Sequence, residues 1–207
     1  YSVMLLISTA GLPVAVSRMV SQASTLQANN RLRKVFRVSL TVFAVLGAVS
    51  SVLMIFGAKP LANLMNQPDA WISIACLGPC GILICVMSAY RGYFNGQGNM
   101  APTSVTQVIE AFIKLVVGLA LAFLLIRMTG SVAFAAGGAI LGVTMGSAVA
   151  LVYMLAKFRP AYKSLPVTHE DPGSTRDTVK ELLTIAIPIT IGSAGLQLLT
   201  VLETKIY

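Results

Sequence analysis

Apolar residues in this chain come in long unbroken blocks, with no alternating or amphipathic period. Val38 to Phe56, Trp71 to Ala89, Val105 to Ile126 and Val132 to Ala156 each supply the roughly 20 apolar residues a helix needs to cross a hydrocarbon core. Two further segments, Tyr1 to Val20 and Leu182 to the terminus, reach that length with charges near one end. Strands rarely exceed about ten residues, and a membrane barrel would alternate apolar and polar positions, so the blocks predict helices. The fold class expected is an all-α, polytopic integral membrane bundle.

The breaks between blocks carry the punctuation. Gly11-Leu12-Pro13, Gly78-Pro79 and Pro188 fall inside apolar blocks, where a missing backbone N–H predicts kinks at Pro13, Pro79 and Pro188. Asn66-Gln67-Pro68-Asp69 predicts a tight turn, with Trp71 placed as an interfacial aromatic. Tyr90, Tyr93 and Phe94 around Arg91 predict a second aromatic belt, Asn95 to Asn99 a turn, and Pro102 the first turn of the next helix. Ala23 to Arg37 is polar and then basic. Its Leu26, Leu32, Val35 and Phe36 fit one face of an interfacial helix, and a solvated loop fits almost as well. Gly138, Gly142 and Gly146 recur every fourth residue and predict close approach of a neighbouring helix. Arg159 to Arg176, with Pro160, Pro166, Pro172 and Gly173, reads as a linker between bundles. The next helix is expected to start near Thr175 to Asp177.

Charge then gives orientation. The 207 residues are 56% hydrophobic and 11% charged with a net charge of +8. The basic residues sit between spans rather than on one soluble face, which argues against nucleic acid as a partner. Loops 23–37, 91–101 and 159–180 hold most of them and are expected to be cytoplasmic by the positive-inside rule. No signal-peptide pattern is visible, and the chain opens at Tyr1 inside an apolar block and ends at Tyr207, so it reads as a fragment.

Ionisable groups inside spans are costly and face protein, water or a partner. Glu110 and Lys114, at i and i+4 with the acid first, predict a structural polar pair, with lining of a polar cavity as the other reading. Arg18, beside Ser17 near the end of the first span, either snorkels to the headgroups or offers its donors to a phosphate in a cavity opened by Pro13. Arg91 has the same two readings. Glu203 lies about 30 Å along the axis from Leu183, at the membrane boundary or on a water-filled path. Cys76, Cys80 and Cys85 read as small packing residues, because structural zinc wants about four ligands. His169-Glu170-Asp171 reads as a solvated turn, so no metal site is expected.

Three stretches carry a family resemblance over essentially the whole chain. YRGYFNGQGNMAPTSVTQVIE, at Tyr90 to Glu110, resembles the loop between the fourth and fifth helices of polysaccharide flippases of the stage V sporulation protein B group, in the multidrug/oligosaccharidyl-lipid/polysaccharide exporter superfamily. ISTAGLPVAVSRMVSQ resembles the second helix of that group and AIPITIGS the seventh. The resemblance implies a MATE-like transporter. On that pattern 1–158 is the N-terminal lobe without its first helix, 159–176 a cytoplasmic inter-lobe linker, and 177–207 the seventh helix opening a second lobe.

It further implies a flippase of the cytoplasmic membrane that moves a lipid-linked pyrophosphoryl saccharide or peptidoglycan precursor by alternating access. The implied partners are membrane lipids and the C-terminal lobe of the same protein. No cofactor is implied beyond coupling to a Na+ or H+ gradient. By the same resemblance Arg18, with Ser17, matches the cationic cavity position, and Glu203 the ion-coupling acid, although an aspartate is expected there. The alternative within the superfamily is a MATE-type drug/cation antiporter. A cation exporter prefers acids in its cavity, and the isolated charge on the second helix is an arginine. A membrane enzyme acting on such lipids is disfavoured, because the connections around Asn66 to Ala70 and Met128 to Ser131 are too short to present catalytic groups.

Overall fold

The computed structural model describes residues 11–64, 71–163 and 174–206. The side chains of residues 12, 61, 63, 64 and 193–206 lie outside that description. Among the described residues seven helices follow in order: α1 Leu12–Thr25, α2 Asn29–Phe56, α3 Ala58–Leu64, α4 Trp71–Gly96, α5 Ala101–Thr129, α6 Val132–Lys163 and α7 Thr175–Ile206. No strand occurs among the described residues. Helices α2, α4 and α5, and α6 from Val132 to Tyr162, are long and apolar enough to cross a membrane.

The surface of α5 shows why the solvent must be lipid. Val108, Phe112, Leu115 and Leu119 follow one another at helical spacing and are 66% to 69% exposed. Such a stripe in water would be an aggregation site, whereas in a bilayer it is the ordinary outer face. The chain is a multi-pass membrane protein.

By its internal contacts the chain divides into two units, Tyr1–Phe43 with Ser88–Met100 and Pro160–Tyr207, and Ala44–Met87 with Ala101–Arg159. In the first unit α1 buries Val16, Met19, Val20 and Ala23, a stripe at i, i+3, i+4 and i+7. In the second, the glycine repeat on α6 lies against α5. A Cβ on Gly142 would meet the backbone of Gly118, and one on Gly146 would stand 2.9 Å from the Glu110 carbonyl oxygen. Only small residues let two helix backbones approach this closely. Gly47 on α2 plays the same part toward Ile82 and Cys85 of α4.

Two expectations are corrected. The basic segment is neither a loop nor an interfacial helix: Asn29 to Arg37 forms the first turns of α2, and Leu32, Val35 and Phe36 are buried in the first unit. Of that apolar set only Leu26 stays exposed, in the short turn where Gln27 takes φ 52°. Nor do the aromatics on α4 form an interfacial belt. Tyr90, Tyr93 and Phe94 are 7%, 0% and 3% exposed, because the helix end that carries them is covered by α1 and α2.

Helix ends also run further than hydropathy alone predicts. α4 continues through Arg91 to Gly96, and Gly98 turns the chain at φ 76° into α5, with Pro102 in its first turn. α6 continues past Arg159 and Pro160 to Lys163. Both α4 and α7 run on through their prolines, Pro79 and Pro188. Gly11 already has helical dihedrals, so the chain enters Pro13 as helix. The turn at Asn66 to Asp69 and the His169-Glu170-Asp171 cluster lie outside the described residues.

Candidate functional site

Helix α1 has two chemically opposite faces. One buries Val16 and Val20 against the end of α4, where two glycines remove the side chains that would keep the helices apart. A Cβ on Gly92 would stand 2.7 Å from Val16 Cβ and 2.9 Å from the Pro13 carbonyl oxygen. A Cβ on Gly96 would stand 2.6 Å from the Ser17 carbonyl oxygen. The other face carries Arg18, Ser21, Gln22 and Thr25, again at i, i+3, i+4 and i+7, and all four are exposed.

Arg18 lies about half a turn around the helix from Val16, so the contact that fixes α1 also points the guanidinium away from α4. Gly11 shares the Arg18 face, seven residues earlier, and abuts the side chain of Thr190 on α7. Ser17 is half-buried beside Arg18. A polar stripe with one guanidinium, flanked by α7 in a membrane protein, calls for water, protein or a polar ligand.

A second concentration of charge surrounds the start of α2. Phe36 is its hub, with ring centroids 5.2 Å from Tyr90, 5.3 Å from Tyr93 and 6.1 Å from Tyr162. Tyr93 in turn stacks edge-on with Phe94 at 5.5 Å, and its hydroxyl accepts a hydrogen bond from Gln97 Nε2 at 3.1 Å. The Arg33 guanidinium sits 5.2 Å from the Tyr162 ring centroid, a cation–π geometry. Arg31 points elsewhere and pairs with Glu181 of α7 at 3.3 Å. Between them an open cleft of about 490 Å³ is lined by Asn30, Arg33, Lys34, Arg37, Val38 and Thr175.

In the second unit the expected partner of Lys114, Glu110, reaches across to α6. Ser147 Oγ donates to Glu110 Oε1 at 3.0 Å and lies 3.8 Å from Cys80 Sγ of α4. Thr144 Oγ1 donates to the Cys76 carbonyl oxygen at 3.3 Å. Lys114 is exposed and lines a shallow groove with Ala111, Leu115, Gly118, Leu119, Ala122 and Ala139. Ser147 thus links α6 to both α5 and α4, and Thr144 adds a second tie to α4, which suits a structural contact. Cys80 and Cys85 are buried free thiols, in keeping with small packing residues.

Of the residues singled out from sequence, Ser17 and Arg18 stand together on α1. Glu110 and Lys114 share α5, but the interhelical hydrogen bond is made to Ser147. Glu203 falls within α7, and its side chain lies outside the described residues. Two groups are not foreseen from sequence: Ser147, which is 0% exposed, and the convergence of Asn30, Arg33, Lys34 and Arg37. The i, i+3, i+4, i+7 spacing of the second is a readable signal, once that segment is taken as helix. Ser147 gives none, since a serine among glycines and alanines is common in membrane helices.

Comparison with known proteins agrees with this architecture. The family model described as "Polysaccharide biosynthesis protein" matches residues 1–207. Stage V sporulation protein B of Bacillus subtilis (strain 168) is 27% identical over 183 residues, 87% of this chain and 35% of that protein. The lipid II flippase MurJ of the same organism is 23% identical, with 100% of this chain and 41% of that protein covered. This chain therefore spans well under half the length of either relative. Among solved structures, an inward-facing multidrug resistance MATE family transporter of the MOP superfamily superposes with a TM-score of 0.73 at 16% identity, over 92% of this chain and 43% of that one. That likeness concerns the fold, and it matches the helical membrane architecture described above. With the family model covering its whole length, the chain belongs to the polysaccharide biosynthesis protein family.

Proposed function

We propose that this chain is the N-terminal part of a flippase that carries a lipid-linked pyrophosphoryl saccharide or peptidoglycan precursor across the cytoplasmic membrane by alternating access. The observation that carries the reading is the polar face of α1, which is flanked by α7 and has exposed Arg18 as its one charge. A guanidinium has the planar fork of donors that suits a pyrophosphate, and it remains charged at membrane depth. Ser17 supports Arg18 in this role, and Glu203 is the acid proposed to couple transport to a Na+ or H+ gradient. One of the relatives named above is named a lipid II flippase, which supports the reading.

On this reading the cytoplasmic connections are those within 23–37, 91–101 and 159–180. The charge clusters at the start of α2 and around Lys157 to Lys163 then face the cytoplasm. A C-terminal lobe of the same protein would close the cavity opposite α1. Transport, not catalysis, is the proposed activity.

The test is translocation of a fluorescent undecaprenyl-pyrophosphoryl saccharide in vesicles reconstituted with the full-length protein. Wild type moves the lipid, and Arg18→Ala lowers the rate at least tenfold while Arg127→Ala does not. Equal rates for Arg18→Ala and wild type would remove Arg18 from the site. Export of an organic cation, with no movement of the pyrophosphate lipid, would establish the antiporter reading instead.

A further inference from the structure

We propose that the cleft between the start of α2 and the start of α7 binds the phosphate headgroup of an anionic membrane lipid that is separate from the transported cargo. Asn30, Arg33, Lys34 and Arg37 lie on one face of α2, and Thr175 completes the wall from the first turn of α7. Three of the six lining residues are cationic and none is acidic. Arg31 and Glu181, the ion pair between the same two helices, neutralise one another outside this lining. The cleft therefore gathers the positive charge of the basic run and excludes its carboxylate partner.

Geometry suits a phosphodiester. Arg33 is held against Tyr162, whose ring packs at a tilt against buried Phe36, so its donors are presented by a packed surface. Helix α7 starts at the same wall and contributes the partial positive charge of its N-terminus, where Ser174 Oγ accepts from the Arg176 N–H at 3.3 Å. Depth decides between a lipid and a soluble anion. Val38, where the apolar span of α2 begins, also lines the cleft, which sets it at the boundary between headgroups and acyl chains. A glycerophospholipid can lay its phosphate among the three cations and its chains along the apolar part of α2. A free anion gains only the first half of this. The site uses neither Arg18 nor Glu203, so it stands or falls independently of the cargo assignment.

Each basic residue near a membrane surface contributes roughly a fivefold preference for anionic lipid. Full-length protein would be reconstituted in phosphatidylcholine vesicles containing spin-labelled phosphatidylglycerol, and the motionally restricted fraction compared with that of spin-labelled phosphatidylcholine. Wild type is expected to select phosphatidylglycerol. Lys34→Gln with Arg37→Gln, which leaves the Arg33–Tyr162 contact in place, is expected to lower that selectivity about 25-fold. Arg127→Gln with Lys157→Gln removes the same charge at two separate positions outside the cleft and is expected to lower it no more than about fivefold. Equal selectivity in the cleft variant and wild type, or equal losses in both variants, would overturn the proposal. Displacement of the labelled lipid by inorganic phosphate at fixed ionic strength would reassign the cleft to a soluble anion and also overturn it. Circular dichroism of the variant, unchanged from wild type, excludes misfolding as the cause of a loss.

Discussion

Replacing Gly92 by alanine tests whether the approach of α1 to α4 orients the polar face. Inside an exposed helix this exchange stabilises by about 1 kcal/mol, because alanine loses less backbone freedom on folding. Here the added methyl would stand 2.7 Å from Val16 Cβ and 2.9 Å from the Pro13 carbonyl oxygen. Carbon atoms in contact prefer roughly 3.5 to 4.0 Å, so α1 must withdraw by about 1 Å along a face that also carries Val20. Overpacking of this kind costs about 1 to 3 kcal/mol. Subtracting the propensity gain leaves a net loss of about 0 to 2 kcal/mol, a fall in Tm of up to roughly 8 °C for a chain of this size.

Thermal unfolding of the purified protein in mild detergent, followed by intrinsic fluorescence, measures it. Gly98 supplies the contrast. It has φ 76°, and a Cβ at that position would find nothing within 4 Å, so its constraint is backbone conformation alone. Gly98→Asn, which tolerates that region, is expected to be nearly neutral, whereas no side chain rescues Gly92. A Gly92→Ala protein more stable than wild type, as the propensity gain alone would make it, would refute the argument that α1 is held by backbone proximity.

Phe36→Ala removes the ring shared by Tyr90, Tyr93 and Tyr162 from a site 3% exposed, and a loss of about 3 to 5 kcal/mol is expected in the same unfolding assay. A loss below about 1 kcal/mol would mean that the aromatics do sit at a lipid interface. Ser147→Ala deletes the donor to Glu110 at 3.0 Å and is expected to cost about 1 to 3 kcal/mol. Glu110→Gln keeps an acceptor oxygen for Ser147 and is expected to cost less; the reverse order would show that the carboxylate charge has another essential partner.

The spans illustrate how far hydropathy carries. Each of the four uninterrupted apolar blocks became a membrane-length helix, since twenty apolar residues in lipid must satisfy their backbone groups locally. Helix ends were less legible. Asn29 to Arg37 and Arg91 to Gly96 are helical although polar, because a helix keeps its backbone bonds while its side chains divide between two environments. A window average registers the charges of Arg33 and Arg37 and misses that Leu32, Val35 and Phe36 face the other way. Tyr90 and Tyr93 mislead for a related reason. An aromatic next to an arginine fits an interface equally well as a core, and only a neighbour such as Phe36 decides between them.

The chemistry divides along the same line. Sequence alone determined an all-helical membrane protein, the glycine stripe on α6, the family resemblance and Arg18 as a cation out of place in an apolar helix. It could do so because these follow from composition, local spacing or residue order. Tertiary structure decided which face of α1 Arg18 occupies, that Glu110 meets Ser147, and that four side chains of α2 meet Thr175 from a helix about 140 residues later in the chain. Those are encounters between distant segments, set by which helix backbones can come close. Glycines such as Gly92 and Gly142 permit that closeness, but their partners are chosen only when the bundle forms.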